Sequence, residues 1–424
     1  MHKLLLVLAV LISPLCFAQR HLLHCGHLIN PEKEEILEQM TIVVEKGHVS
    51  EIIKGYLSPN EDDKVVNLRE KYVLPGLIDM HVHLEHESNP NSYLEEFKLN
   101  EADIAFRSAV YAKKTLMAGF TTVRDLGGSG VNTALSKAID QGLVMGPRVY
   151  SAGKAIASTG GHADPTNGYR KDLMGVPGPD QGVANGPDDC REAVRQRYKN
   201  GANCIKITAT GGVLSVAKNS SNPQFTLEEI QAICETAKDY GFHVAAHAHG
   251  DEGMYRAVQG GVKTIEHGTL MSEKTMDLMK LKNAYLVPTI TAGKEVTEKA
   301  EVDGYYPEVV VPKAKEIGPQ IQGTFGKAYK RGVPIAFGTD AGVFPHGENG
   351  KEFFYMVEAG MPAMQALKAA TYTNSQVLEN NKIGRIKPGA FADIIAVSKN
   401  PLENIRTMES VDFVMKGGEI VKGN

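Results

Sequence analysis

The chain has 424 residues, 42% of them hydrophobic and 23% charged, with a formal net charge of −4 and no tryptophan. These are values of an ordinary globular protein and exclude a disordered or fibrous chain; the near-neutral balance gives no footing for nucleic acid or an anionic membrane. The length exceeds one small core and suits one large barrel with a satellite domain.

Residues 1–18 open with His2 and Lys3, run apolar from Leu4 to Ile12 and reach small residues at Ala18. That pattern reads as a secretory signal peptide, so the mature chain is expected to be secreted or periplasmic and free of the membrane. Cys16 leaves a lipid anchor as the alternative, although the preceding Ser-Pro-Leu fits that pattern poorly. Cys25, Cys190, Cys204 and Cys234 are scattered, show no metal-type spacing and are expected to be buried free thiols.

Residues 19–71 carry short β-like runs, HLLHCGHLIN, TIVVEKGHVSEIIKG and KVVNLRE, divided by Gly, Pro, Asn and charged clusters. EKGHVSEI and DDKVVNL both read as hairpin strands. His21, His24, His27 and His48 are irregularly spaced and read as surface or satellite-domain residues. Residues 385–424 have the same β character. Neither end makes a stable sheet alone, so both are expected to form one small β-sandwich with residues 72–384 inserted between them.

Residues 72–384 alternate short apolar β runs with amphipathic helical runs. The β runs are 72–83, 121–126, 148–156, 204–210, 243–249, 264–269, 285–291 and 334–342; helices are predicted over 95–118, 131–142, 187–199, 226–240, 250–259, 272–282 and 311–331. Thr226 and Glu229 have capping-box spacing, and Gly119, Gly201 and Gly241 stand where a helix ends on a left-handed residue. Eight β/α units imply a parallel sheet closed as a (β/α)8 TIM barrel. Catalytic groups of such barrels sit at the carboxyl ends of strands.

The chain places chemistry at those ends. His81 and His83 close YVLPGLIDMHVH; residues two apart on a strand share a face, so both imidazoles are offered to one metal. Lys206 lies in CIKITAT, His247 and His249 end HVAAHAH, His267 stands in TIEHGT, and Asp340 in FGTDAG. Far apart in sequence, they are expected to meet on one rim. The Gly- and Pro-rich loop 158–186, with His162, reads as a lid, and loop 292–310 as a second lid or an assembly element. Lys154, Tyr169 and Arg170 are candidates for meeting a substrate carboxylate, and Phe225, Phe344, Phe353 and Tyr355 for lining an aromatic pocket. TATGG at 208–212 lacks the G-x-G-x-x-G spacing of a dinucleotide-binding turn.

Taken together, HVH after PGLID, the strand lysine in IKI, His247 and His267 twenty apart, IEHG and GTDAG resemble the amidohydrolase superfamily, in its binuclear branch with a carboxylated lysine. GGHAD at 160–164 and the terminal β pieces narrow the likeness to secreted prolidase- and carboxypeptidase-like amidohydrolases, the group that includes ochratoxinase. The resemblance implies two Zn²⁺ ions bridged by N6-carboxylated Lys206 and a hydroxide. His81, His83 and Asp340 would hold one ion, His247 and His267 the other. The same resemblance implies that Asp340 carries the proton and that His162 touches the substrate carbonyl. His249 is the alternative to His247 as a ligand and otherwise lines the pocket. The expected reaction is hydrolysis of a small-molecule amide or dipeptide that releases a C-terminal amino acid, as in Xaa-Pro dipeptides, N-acyl amino acids or ochratoxin-type amides. A homo-oligomer without nucleic-acid partners is expected. A lactonase, phosphotriesterase or cyclic amidase on the same fold, or a non-catalytic metal-binding relative, are the alternatives.

Overall fold

The computed structural model describes residues 20–423, so the signal peptide expected over 1–18 lies outside the described residues. Strands β1 (His21–Asn30), β2 (Glu35–Glu45), β3 (His48–Lys54) and β4 (Lys64–Pro75) open the chain. Strands β12 (Ile394–Val397), β13 (Phe413–Lys416) and β14 (Glu419–Lys422) close it. All seven belong to one sheet, in the order β14-β13-β12-β4-β1-β2-β3. Alternation sorts their side chains: Leu23, Cys25, Ile42, Val44, Val66, Leu68, Ile394 and Met415 form one apolar cluster. Ile29, Leu74, Ile395, Val397 and Val414 face the other way, into the main core. The sheet curls on itself. Beside β3, a Cβ on Gly47 would stand 2.8 Å from the carbonyl of Gly417, in the turn between β13 and β14. The result is sandwich-like, as expected.

One expectation here is corrected. Residues 35–45 and 48–54 do form a hairpin, but 64–75 do not: β4 runs parallel to β1 and antiparallel to β12, pairing Leu74 with Ile395. The parallel register needs a bulge between Cys25 and His27. A Cβ on Gly26 would lie 1.9 Å from the Arg69 carbonyl oxygen, so only glycine fits there.

After Gly76 the chain leaves this sheet for a parallel series: β5 (Leu77–Val82), β6 (Phe120–Asp125), β7 (Arg148–Ser151), β8 (Ile205–Thr208), β9 (Val244–Ala248), β10 (Thr264–His267) and β11 (Tyr285–Val287). β5-β6-β7 form one ladder and β8 to β11 another. Parallel bridges join the pieces: Ile156 to Ile207, Leu286 to Ile335, and Val82 to Ala341. Eight extended segments are thus linked in chain order, and the eighth bonds back to the first. All residues of β5, β6, β8, β9 and β10 are buried, as strands covered on both faces must be.

The helices depart from expectation in particular places. The run 95–118 is two helices, Ser92–Glu95 and Glu101–Met117, divided where Asn100 and Asp103 make a capping box. Thr226 and Glu229 make theirs as read, and Gly119, Gly201 and Gly241 have positive φ. The segment 285–291 is strand only through Val287, because Thr289 takes a φ of +53° and a helix, Ile290–Lys299, begins at once. Loop 292–310 is therefore helical in its first part. The run 311–331 is broken by a 3-10 turn at Gly318–Gln320. Three α-helices beyond 342, Lys351–Glu358, Ala363–Lys368 and Asn374–Val377, had no expectation. Cys25, Cys190 and Cys204 are buried free thiols and Cys234 is half-buried.

Candidate active site

Strand ends deliver the candidate side chains to one place. His81, at the end of β5, is held by its own backbone, whose N–H donates to Asp79 Oδ1 at 3.0 Å. Asp79 also accepts from the Thr339 hydroxyl at 2.6 Å and the Asn349 amide at 2.8 Å. Burial lifts its pKa to about 6 against those donors. The Asp340 N–H donates to the His81 carbonyl at 2.7 Å, so the first and eighth segments meet with their functional side chains adjacent.

Five imidazoles follow one rule: a wall oxygen occupies one nitrogen of each ring. His81 Nδ1 lies 2.9 Å from Glu266 Oε2, and His83 Nδ1 lies 2.8 Å from the Gly127 carbonyl. His247 Nε2 lies 3.1 Å from the Gly211 carbonyl, His249 Nδ1 lies 2.8 Å from Thr269 Oγ1, and His267 Nδ1 lies 2.7 Å from Thr289 Oγ1. The second nitrogens converge. His81 Nε2 is 3.3 Å from Lys206 Nζ and 3.4 Å from Asp340 Oδ1, while His83 Nε2 is 3.3 Å from the same oxygen. His267 Nε2 is 3.0 Å from His247 Nδ1. His81, His267 and Asp340 make one group with ligand atoms within 4.8 Å of one another, and His247, His249 and His267 make a second. A wall acceptor on one nitrogen and an open lone pair on the other is how protein matrices orient metal-binding histidines. His249 meets this test as well as His247.

The electrostatics agree. Burial pushes His81, His247 and His267 well below the usual histidine range and takes His249 to about 4, so these rings are neutral donors of a lone pair. Burial opposes charge on His83 too, but Asp340 outweighs it and raises that pKa. Burial lowers Lys206 to about 8, against Glu266 and Asp340. Asp340 is itself buried, yet His81 and His83 hold it below its ordinary value. Among the described residues its buried Oδ1 makes no well-aligned hydrogen bond, although the His81 and His83 nitrogens stand 3.4 and 3.3 Å away.

Three of these positions are strained. His267, Thr289 and Asp340 have φ of +70°, +53° and +63°, the left-handed region that costs a residue with a Cβ about 1–3 kcal/mol. The strain has a geometric use. Consecutive strand residues normally face opposite ways. The turn at His267 lets Glu266 and His267 both reach His81, whose ring centroid is 5.2 Å from that of His267.

The sequence did not single out Glu266 as functional. It is fully buried and receives Arg124 Nη2 at 2.9 Å; Arg124, also fully buried, anchors itself on the Met80 carbonyl. The two charges compensate each other behind His81. Only adjacency to His267 in IEHG could have pointed to Glu266; its partner is 142 residues away.

His162 enters from the loop after β7. Its N–H donates to Gln224 Oε1 at 2.8 Å, and its ring lies 4.3 Å from that of His247. A Cβ on Gly212 would stand 2.2 Å from the ring, so glycine makes room for it. Its Nδ1 has no partner, and burial takes its pKa to about 3.

These groups floor a cavity of about 690 Å³. Val213, Leu214, Ala292, Val296, Ile317 and Ile321 give it an apolar wall, while Lys154, Gln181, Glu96 and Glu101 give polar ones. His162, Ala163, Pro165 and Gln181 bring loop 158–186 to the cavity, as expected of a lid. Lys154 lines it, but Tyr169 and Arg170 do not: Tyr169 donates to Glu96, and Arg170 pairs with Asp172 on the surface. Phe225, Phe344 and Phe353 are core residues, and Tyr355 stands beside Phe354; none lines the cavity, because large apolar side chains are drawn into the main core.

Comparison with known proteins follows the same line. The model of the amidohydrolase family matches residues 72–421. The chain is 32% identical to ochratoxinase of Aspergillus niger, over 95% of this chain and 86% of that protein. A crystal structure of a Xaa-Pro dipeptidase with methionine bound in its active site superposes with a TM-score of 0.93 at 50% identity, covering 95% of this chain and all of the other. A prolidase complexed with N-methylphosphonate-L-proline superposes at 0.87 with 31% identity, covering 96% of this chain and 100% of that one.

Proposed function

The chain belongs to the amidohydrolase family and is a hydrolase of amide or peptide C–N bonds, and we propose that it is a secreted two-zinc enzyme releasing a C-terminal amino acid from dipeptides or N-acyl amino acids. The observation that carries this is the set of five imidazoles, each with one nitrogen bound to a wall oxygen, around the buried Oδ1 of Asp340. We read the linked ring of eight segments as a (β/α)8 barrel over 72–384, and 19–71 with 385–424 as its satellite. The dipeptidase with bound methionine and the prolidase with a proline phosphonate support the choice of product. Ochratoxinase keeps ochratoxin-type amides among the substrates to be tried.

The donor set fits divalent zinc: neutral imidazoles, one carboxylate and a lysine whose amine is easily neutralised. His81, His83 and Asp340 would hold one ion, and His247 with His267 the second. The neutral amine that burial favours at Lys206 is the form that would add carbon dioxide, losing a proton, and the resulting carbamate would offer anionic oxygens to the ions. Bound there, zinc lowers the pKa of water and polarises a carbonyl. The rest falls to this chain. Asp340 stays ionised beside His81 and His83, accepts the proton of the attacking water and returns it to the departing amine as the C–N bond breaks. His162, kept neutral by burial, donates an N–H to the carbonyl oxygen as negative charge develops there. His249 lines the pocket and remains ligand-capable.

The test is amino-acid release from a mixed library of dipeptides, N-acyl amino acids and lactones, read by mass spectrometry beside elemental analysis for zinc. Release of C-terminal amino acids with about two zincs per chain is the expected result. Turnover of lactones alone would assign the site to ester chemistry. Export is checked by an N-terminus at Gln19 in the secreted or periplasmic fraction, and homo-oligomerisation by sedimentation.

A further inference from the structure

One polar part of the cavity lining contains a small device that the proposed metal chemistry does not use. Arg197 is 2% exposed and, among the described residues, makes no pair with a carboxylate group. Its Nε donates to the Lys154 carbonyl at 2.7 Å, and Nη1 and Nη2 donate to the Asp180 and Pro179 carbonyls at 3.3 Å each. Burial lowers its pKa to about 10, which measures how costly this placement is. The guanidinium therefore ties the end of the third barrel segment to the turn at 179–182. Gly182 completes the join: at φ +99° its Cβ would stand 2.4 Å from the Ala155 carbonyl.

The tie presents two side chains to the cavity, Lys154 and Gln181. Among the described residues the Lys154 ammonium has no ion-pair or hydrogen-bond partner, unlike Lys313, whose ammonium is held by the carbonyls of Gly212, Ser215 and Ala217. Gln181 Oε1 accepts the Gly178 N–H at 3.0 Å, which leaves its amide N–H groups to donate. The residue after Lys154 packs near His83. A Cβ on Gly127 would lie 3.6 Å from Ala155 Cβ and 3.8 Å from Cε1 of His83. Three carboxylates line the cavity: Asp340 sits among the histidines, and Glu96 and Glu101 come from the segment 92–101, with no ion pair to Lys154 among the described residues.

We propose that Lys154, with Gln181 beside it, binds the free α-carboxylate of the substrate, and that Arg197 is the positioning residue that holds this pair in place. The proposal rests on the hydrolase reading above and makes the enzyme an exopeptidase: an ammonium and an amide donor recognise a carboxylate end, and no chain can continue past it. A substrate whose end is capped as an amide leaves the ammonium unpaired and loses the interaction.

The experiment compares N-acetyl-L-methionine with its carboxamide in zinc-loaded wild type, Lys154→Met, Lys154→Arg and Arg197→Lys. Wild type is expected to favour the acid at least about a hundredfold in kcat/KM. Lys154→Met should lose about that factor on the acid, mostly in KM, with little change on the amide; Lys154→Arg should keep much of it. Arg197→Lys should raise KM for the acid more than it lowers kcat. Equal losses on acid and amide in Lys154→Met would overturn the assignment. Calorimetric binding of L-methionine against L-methioninamide reads the subsite without turnover. If wild type hydrolyses neither probe, the hydrolase reading fails there, while a preference for methionine abolished in Lys154→Met still upholds the carboxylate subsite. No preference in binding overturns it.

Discussion

The histidines of the terminal sheet and those at the ends of the parallel strands are the same residue put to opposite uses. In the sheet, His24 gives Nε2 to the Leu57 carbonyl and Nδ1 to Arg69, His27 pairs with Glu38 at 2.7 Å, and His48 bonds the Lys46 carbonyl. These polar partners all lie within residues 20–71. At the rim, each ring commits one nitrogen to the wall and turns the other toward its neighbours. Left-handed backbone is treated differently as well. Around the sheet it falls at turns and irregularities such as Glu34, Gln39 and Lys46, whereas at the rim it falls on His267, Thr289 and Asp340, inside packed segment ends. A group whose second bond is missing marks function here more sharply than the type of residue does.

Substitutions in the two regions should therefore fail in different ways. The largest effect is expected from Asp340→Asn, which should cut kcat by about a thousandfold, ~4 kcal/mol, while zinc content by elemental analysis changes little. Turnover within about tenfold of wild type would remove Asp340 from the proton path. Lys206→Ala should lose zinc and activity together, with partial return on adding a short carboxylic acid; two zincs per chain retained without rescue would refute the bridge. Glu266→Gln should weaken zinc binding about 10–100-fold in chelator competition, the usual cost of losing a ligand's outer hydrogen-bond partner. Unchanged affinity would reduce Glu266 to a counter-ion for Arg124. In the sheet, Ile42→Ala should cost about 2–5 kcal/mol of stability in a denaturant titration, with kcat per folded molecule intact. A loss of zinc there would erase the contrast between the regions. The gentlest test is a slope. Burial raises Glu352 to about 8, so the folded state binds its proton more tightly than the unfolded chain does. That contribution to stability is full below the unfolded carboxyl range and is lost as pH rises through about 8. Glu352→Gln should flatten this part of the stability profile.

The rim was largely legible because its signals are local. Two-residue spacing put His81 beside His83, and strand-end positions gathered Lys206, His247, His267 and Asp340. What escaped depended on distant partners. Thr-Ile-Thr after Pro288 reads as β-branched strand, yet the helix there starts because Glu352, some 60 residues on, accepts the N–H groups of Ile290 and Thr291. The parallel course of β4 needed β1 and β12 to be known. Glu266 and Arg124 make sense only as a pair, and Arg197 only once Lys154 and the 179–180 turn are seen to share it. Lys154 was raised as a carboxylate contact alongside Tyr169 and Arg170; the first lines the cavity, while the others are taken by Glu96 and Asp172.

The antiparallel pairing of Tyr72–Pro75 with Ile394–Val397 also orders events in time. The segment that runs directly into His81 and His83 is flanked on one side by residues made more than 300 positions later. During synthesis that flank stays open until the final strands emerge from the ribosome, so the histidine cluster at the strand ends is among the last things the polypeptide completes. A fragment stopping short of Ile394 would expose the bare edge of β4, an invitation to pair with another nascent chain.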